Sequence, residues 1–287
     1  DTIVQAKEGD NLRKGIANPL FLQIAAKCAG QPYGLQPGFV RPGTIFVGLD
    51  KYRQPFKRNT PTVISVTFFD SDGAYLCGDS DIIPYEELNG ESKLEQLLKE
   101  SYDKYKQLKG VDATTILYFI DTGVGTMDVE LGKYIERCAG LAKKIGAEFI
   151  FACGNKGSHL RLYSGDPLDL ALTAERVSAF SAATRMPVEN QVLVVSTEPI
   201  ISRQKAKEYG TPRAVLYTII ARSEGIGVEE AKRTVAKSVI WLCRHAWISP
   251  ASTREPAPIF FANKLSRLVA ATGVRITPDR TTAPLFL

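Results

Sequence analysis

The sequence predicts an α/β fold, a mixed β-sheet with helices packed on its faces. Three observations carry this. Apolar, β-branched runs of strand length recur at 44–50 (TIFVGLD), 115–121 (TILYFID) and 148–153 (EFIFAC). Segments with apolar residues at helical spacing separate the later runs. The first run is followed by a hairpin instead of a helix, so the sheet starts antiparallel and continues through helical crossovers.

In chain order, residues 16–29 (IANPLFLQIAAKCA) read as an amphipathic helix, with Asn18-Pro19 near its first turn and Gly30 at its end. The Pro/Gly-rich stretch 31–43 reads as a linker, which divides the chain into 1–43 and 44–287. The strand at 44–50 ends in Asp50. Residues 62–69 alternate as a second strand, Asp70-Ser71-Asp72-Gly73 is a tight turn, and 74–77 returns as a third strand. Leu94, Leu97, Leu98, Tyr102 and Tyr105 mark a helix over 92–108. A strand over 115–121 ends in Asp121, a helix follows over 127–145, and another buried strand runs over 148–153. Extended segments are expected at 159–163, 191–196 and 213–220, and helices at 227–245 and 258–271.

Composition excludes several classes. Thirty-six Lys and Arg against 31 Asp and Glu leave a net charge of +5, a mild pull towards a polyanionic partner. The five cysteines are odd in number and include no CxxC pair, which suits small buried side chains in a reducing cytoplasm and argues against zinc. Two histidines give little material for a histidine metal cage or a Ser-His-Asp triad. No apolar run approaches the ~20 residues of a membrane span, and the polar start, Asp1 to Arg13, is unlike a signal peptide.

The chemistry centres on Asp50 and Asp121, each closing an apolar strand. In an open α/β sheet, ligands gather at the carboxyl ends of strands. Two carboxylates brought together there repel unless a cation lies between them. Mg²⁺ suits such a pair as a hard, oxygen-seeking ion, and two such ions on a phosphodiester activate water and stabilise the leaving oxygen. The competing reading is local, an Asp that follows a strand as a turn residue or helix N-cap.

Several segments resemble the PIWI domain of Argonautes. IFVGLD is similar to the family's first catalytic strand, and ILYFIDTG lies where the family has an apolar strand ending in Arg-Asp-Gly. NKGSHLRLY (155–163) resembles a Lys-then-Arg strand pair, GTPRAVLY (210–217) a segment of prokaryotic relatives, and PAPIFFANKL (256–265) the closing helix. The resemblance implies an RNase H-like mixed sheet flanked by helices over 44–287, with 1–43 as the C-terminal edge of a MID domain. It implies a guide-directed endonuclease that uses Mg²⁺ or Mn²⁺, with guide and target strands (RNA or DNA) as partners. A MID-containing polypeptide, or the rest of the same chain, supplies the remaining guide pocket.

By the same resemblance Asp50, Asp121 and Asn263 take three of the family's four catalytic positions and serve as metal ligands. Asn ligates through its carbonyl oxygen. The fourth, a glutamate on a loop ahead of a helix, is Glu91, with Glu86 and Glu87 as alternatives. Gln23 and Lys27, on one helix face at i, i+4, match a pair that binds the guide 5′-phosphate, and the terminal carboxylate of Leu287 matches one that joins them through a bridging metal ion. Basic residues Lys51, Arg53, Lys57, Arg58, Lys156, Arg161, Arg203, Lys205 and Lys207 are candidate phosphate contacts. Ile120 and Thr122 flank Asp121 where the family has Arg and Gly. Two further readings stay open: a guide-dependent binding module with weak or no cleavage, acting with a partner chain, and an RNase H-like nuclease that needs no guide.

Overall fold

Strand β1 (Thr44–Arg53) is the spine of the molecule, hydrogen-bonded antiparallel to β2 (Thr62–Phe69) on one side and parallel to β4 (Thr115–Asp121) on the other. The computed structural model describes residues 40–53, 61–84, 91–121, 129–157, 178–181, 190–195, 214–243 and 253–278. Within them the strands form one eight-stranded sheet. β3 (Tyr75–Ile83) lies outside β2, and β5 (Glu148–Asn155) lies beside β4. The far edge is β8 (Val215–Arg222), β7 (Gln191–Val195) and β6 (Ser178–Ser181), all antiparallel. The central β1–β4–β5 ladder is parallel and both flanks are antiparallel.

Among the described residues, four helices cover the two faces. On one face, α1 (Glu91–Lys109) and α2 (Val129–Ile145) bury Leu94, Leu97, Leu98, Leu131 and Tyr134 against Ile45, Val47, Leu49, Ile116, Tyr118 and Phe151. On the other, α3 (Val228–Leu242) and α4 (Ala257–Thr272) bury Val235, Val239, Ile259 and Phe261 against Phe46, Leu117, Phe119, Ile150 and Tyr217. Because both faces of β1, β4 and β5 are dry, those strands are apolar without a break instead of alternating. Alternation by two still decides which face a side chain serves: odd positions 45–49 face α1 and α2, and even positions face α4.

The expected elements that fall within the described residues are present with shifted ends. β3 continues six residues past the expected Cys77, and β1 continues three residues past Asp50, because each keeps pairing with β2. The helix expected over 227–245 runs Val228–Leu242, and residues 244 and 245 fall outside the described set. β6 was not expected, since SAFS carries no strand-like run. The helix expected over 16–29 and the extended segment at 159–163 also lie outside the described residues.

Candidate functional site

β1 and β4 run in register, with Leu49 opposite Ile120, so the next residues, Asp50 and Asp121, come side by side. The row continues across the sheet, with Asp50 opposite Ser65 on β2, Asp121 opposite Gly154 on β5, and Gly154 opposite Tyr217 on β8. Laterally paired residues share a face, so these side chains point towards α3 and α4. Only Asp121 closes its strand; Asp50 lies inside β1, at the point where pairing with β4 ends and pairing with β2 goes on. That corrects the expectation of two strand-end carboxylates, and it leaves Asp50 8% exposed.

Helix α4 roofs the pair. It starts at Pro256, whose fixed φ suits a first turn, and stops at Gly273 in the left-handed conformation. Its backbone lies on β1 at Gly48, where a Cβ would stand 2.1 Å from the Pro258 carbonyl oxygen. Only a glycine allows that approach. Ser65 Oγ donates to the Ala262 carbonyl (2.7 Å) and Thr67 Oγ1 to the Pro258 carbonyl (2.8 Å), so β2 fixes the helix in position. Ser266 Oγ then donates to the Asp50 carboxylate and lies 3.0 Å from the Asn263 carbonyl one turn earlier. Asn263 is half-buried on the same helix. Three of the residues singled out by resemblance, Asp50, Asp121 and Asn263, thus belong to elements that meet at this end of the sheet.

The electrostatics are dominated by negative charge. Burial pushes the Asp50 carboxyl up from 3.8 to about 6; the Ser266 hydrogen bond opposes this, and the charges of Asp121 and Glu255 add to it. Lys156, just past β5, places its Nζ 2.5 Å from Asp121 Oδ2 and also pairs with Glu255. Desolvation draws the Lys156 ammonium down, but its hydrogen bonds to Asp121 and Glu255 outweigh this and hold it above its ordinary value. Glu255 is set in place from both sides. Thr253 N and Oγ1 donate to the Cys243 carbonyl at the end of α3, and Arg254 Nη2 donates to the Lys156 carbonyl (3.1 Å). Two strands along the same row from Asp121, the buried Tyr217 hydroxyl has no hydrogen-bond partner among the described residues.

Lys156, Glu255 and Ser266 have no part in the catalytic set expected from sequence. Ser266 had a readable signal, its place three residues after Asn263 on one helix face. Glu255 had none, since a Glu ahead of a proline at a helix start is ordinary. Glu91 opens α1, but its side chain, Glu86, Glu87, Gln23, Lys27 and Leu287 all lie outside what the structure describes.

Hard carboxylate oxygens with one buried, destabilised anion among them fit a divalent cation. Among the described residues no three His, Cys, Asp or Glu side chains come together as a metal cage. A divalent ion held by Asp50 and Asp121 would need further oxygen donors, and an amide carbonyl such as that of Asn263 is of the right type. A rim of exposed basic residues follows the site, with Lys51 and Arg53 on β1 and Lys264 and Arg267 on α4. The Arg267 guanidinium stacks over Tyr52, 5.7 Å from its centroid. A cavity of about 650 Å³ lies at the other ends of β1 and β4, beside Thr44 and Thr115. Its mouth is tied by Arg41 to Glu148 and Glu230, and it lies far from the paired carboxylates along both strands.

Comparison with known proteins agrees with this geometry. A Piwi domain family model matches residues 2–273. The structure is similar to Marinitoga piezophila Argonaute in complex with 5′ OH guide RNA (TM-score 0.62, 14% identity, 92% of this chain and 35% of that one). It is also similar to an Aquifex Argonaute, Aa-Ago, with externally bound siRNA (TM-score 0.68, 15% identity, 96% and 34%). The chain thus spans about a third of the length of those proteins. No curated protein matches significantly. The sheet order, the helices on both faces and the match over nearly the whole chain lead to one conclusion: this chain belongs to the Piwi domain family and has the RNase H-like fold of Argonautes.

Proposed function

We propose that the chain is the catalytic domain of a guide-directed endonuclease that hydrolyses one phosphodiester of a complementary target strand. The observation that carries this reading is the in-register meeting of Asp50 and Asp121 under α4, the helix that also carries Asn263. Bound Mg²⁺ or Mn²⁺, held by Asp50, Asp121 and Asn263, would supply the charge that activates water and stabilises the leaving oxygen. Ser266 orients the Asp50 carboxylate by a buried hydrogen bond, and α4 excludes water from its inner side. Glu91, at the head of α1, completes the site in this reading, with Glu87 as the alternative. The RNA ligands named for the two Argonaute structures support a guide strand here. Gln23, Lys27 and the Leu287 carboxylate are assigned to its 5′-phosphate, residues 1–43 to the edge of a MID domain, and Lys51, Arg53, Lys264 and Arg267 to backbone phosphates. Base pairing with the guide, not the protein, then sets sequence specificity.

A second reading, a guided binding module without cleavage, is favoured by one observation, the Lys156 ammonium already paired with Asp121. The test is incubation of the intact protein with a 5′-phosphorylated guide, a labelled complementary target and Mg²⁺ or Mn²⁺. A single cut at a fixed distance from the guide end supports the nuclease. Guide-dependent binding with no cut in either metal replaces it by the binding module, and cutting that ignores the guide replaces it by an unguided nuclease. Glu91→Ala abolishes the cut and Glu87→Ala preserves it; the reverse result moves the fourth position to Glu87.

A further inference from the structure

We propose that Lys156 is an internal counter-ion that competes with the divalent metal for Asp121, and that Glu255 retains its ammonium when the metal displaces it. This rests on the metal reading above. Asp121 and Glu255 both act on the buried Asp50, and both pair with the Lys156 ammonium at this end of the sheet. Backbone pairing of β1 and β4 up to Leu49 and Ile120 limits how far the next residues, Asp50 and Asp121, can move apart to relieve their repulsion. The Lys156 ammonium meets that demand by contacting Asp121 and Glu255 together.

The geometry is that of an exchangeable cation. The backbone of Lys156 is pinned through its carbonyl to Arg254, and Glu255 is pinned through Thr253 to the end of α3. The lysine side chain between these fixed points is 30% exposed and turns on a flexible four-carbon stem. Withdrawal from Asp121 costs it one of two ion pairs and leaves the second in place. An ammonium and a divalent ion cannot share the Asp121 carboxylate at full strength, because both are cations at contact distance. The occupant of Asp121 therefore alternates, and metal affinity is set partly by Lys156.

The test measures metal binding without nucleic acid. Mn²⁺ is titrated calorimetrically into the intact wild-type protein and into Lys156→Met, Lys156→Arg and Asp121→Asn. Lys156→Met binds about tenfold more tightly than wild type, the loss of one partly exposed ion-pair competitor, whereas Lys156→Arg, which keeps the cation, stays within about twofold. Acylation of Lys156, followed by mass spectrometry in the wild type, becomes faster at saturating Mg²⁺ and does not change with Mg²⁺ in Asp121→Asn. This second measurement stands even if Lys156→Met folds poorly. Mn²⁺ affinity unchanged in Lys156→Met, or Lys156 acylation unchanged at saturating Mg²⁺, overturns the competition while leaving the metal reading intact. Failure of the metal reading looks different: neither wild type nor Lys156→Met binds Mn²⁺, and both proposals fall.

Discussion

Asp50 concentrates the cost of the site in one side chain. Its carboxyl loses its proton near 4 in an unfolded chain and at about 6 when buried in the fold. Between those values the folded state holds more protons than the unfolded one, so this group's contribution to stability falls as pH rises through that window. The rise amounts to about 3 kcal/mol, fully felt above pH ~6 and absent below pH ~4. Asp50→Asn removes the charge and keeps an acceptor for Ser266. The metal-free variant should be more stable than wild type at pH 7.5, by up to about 3 kcal/mol, and equally stable at pH 4. Urea unfolding at the two values measures this, and a variant less stable than wild type at pH 7.5 contradicts it. Ser266→Ala removes the one hydrogen bond that opposes the shift, so the Asp50 carboxyl should titrate higher still, as seen by carboxyl NMR.

At the scale of elements, α4 is seated by a glycine and two hydroxyls. Gly48→Ala places a methyl against the Pro258 carbonyl, backbone that cannot step aside cheaply. It should cost about 3 kcal/mol or more in urea unfolding, and an unchanged midpoint would show that α4 sits elsewhere. Ser65→Ala leaves the Ala262 carbonyl without its side-chain donor and should cost about 1 kcal/mol. The same scale shows what the sequence makes legible. β2, β4 and the body of each long helix follow from periodicity and apolar runs, because one face or both must be buried. The strand ends do not: β1 outlasts Asp50 and β3 outlasts Cys77 only because β2 lies alongside, a pairing that no local run encodes. Asp50 and Asp121 stand out in the sequence because each follows an apolar run, and Asn263 only through the resemblance of its helix to the PIWI closing helix. Lys156 and Glu255 do not, because their meeting depends on the turn after β5 lying against the start of α4.

Over the whole molecule, charge works in two ways. Internally, the fully buried Asp79 on β3 receives Arg275 and Lys104, and Arg275 also reaches Glu100 on α1. This clasp, with Ser80 Oγ donating to the Ile276 carbonyl and Gly78 N to the Pro278 carbonyl, holds the chain after α4 along the β3 edge. Arg275→Ala leaves Asp79 with weaker compensation and should cost about 2 kcal/mol, read from the unfolding midpoint; no loss would mean that Lys104 alone suffices. Externally, Lys51, Arg53, Lys264 and Arg267 rim the site of a chain with net charge +5. If these four contact phosphates, affinity for a guide–target duplex should fall about a hundredfold between ~50 and ~200 mM salt, and Lys264→Ala should reduce the slope by about one. Binding indifferent to salt would remove the rim from the interface.

The measurement that tests the central claim most directly is target cleavage by Asp50→Ala and Asp121→Ala beside the wild type, with guide and Mn²⁺ saturating. Each variant should retain guide-dependent target binding and lose cutting by about a thousandfold or more, because in the proposed reading each removes charge from the point where the phosphodiester reacts. Cutting at the wild-type rate by either variant would place the chemistry away from the paired carboxylates and contradict the account.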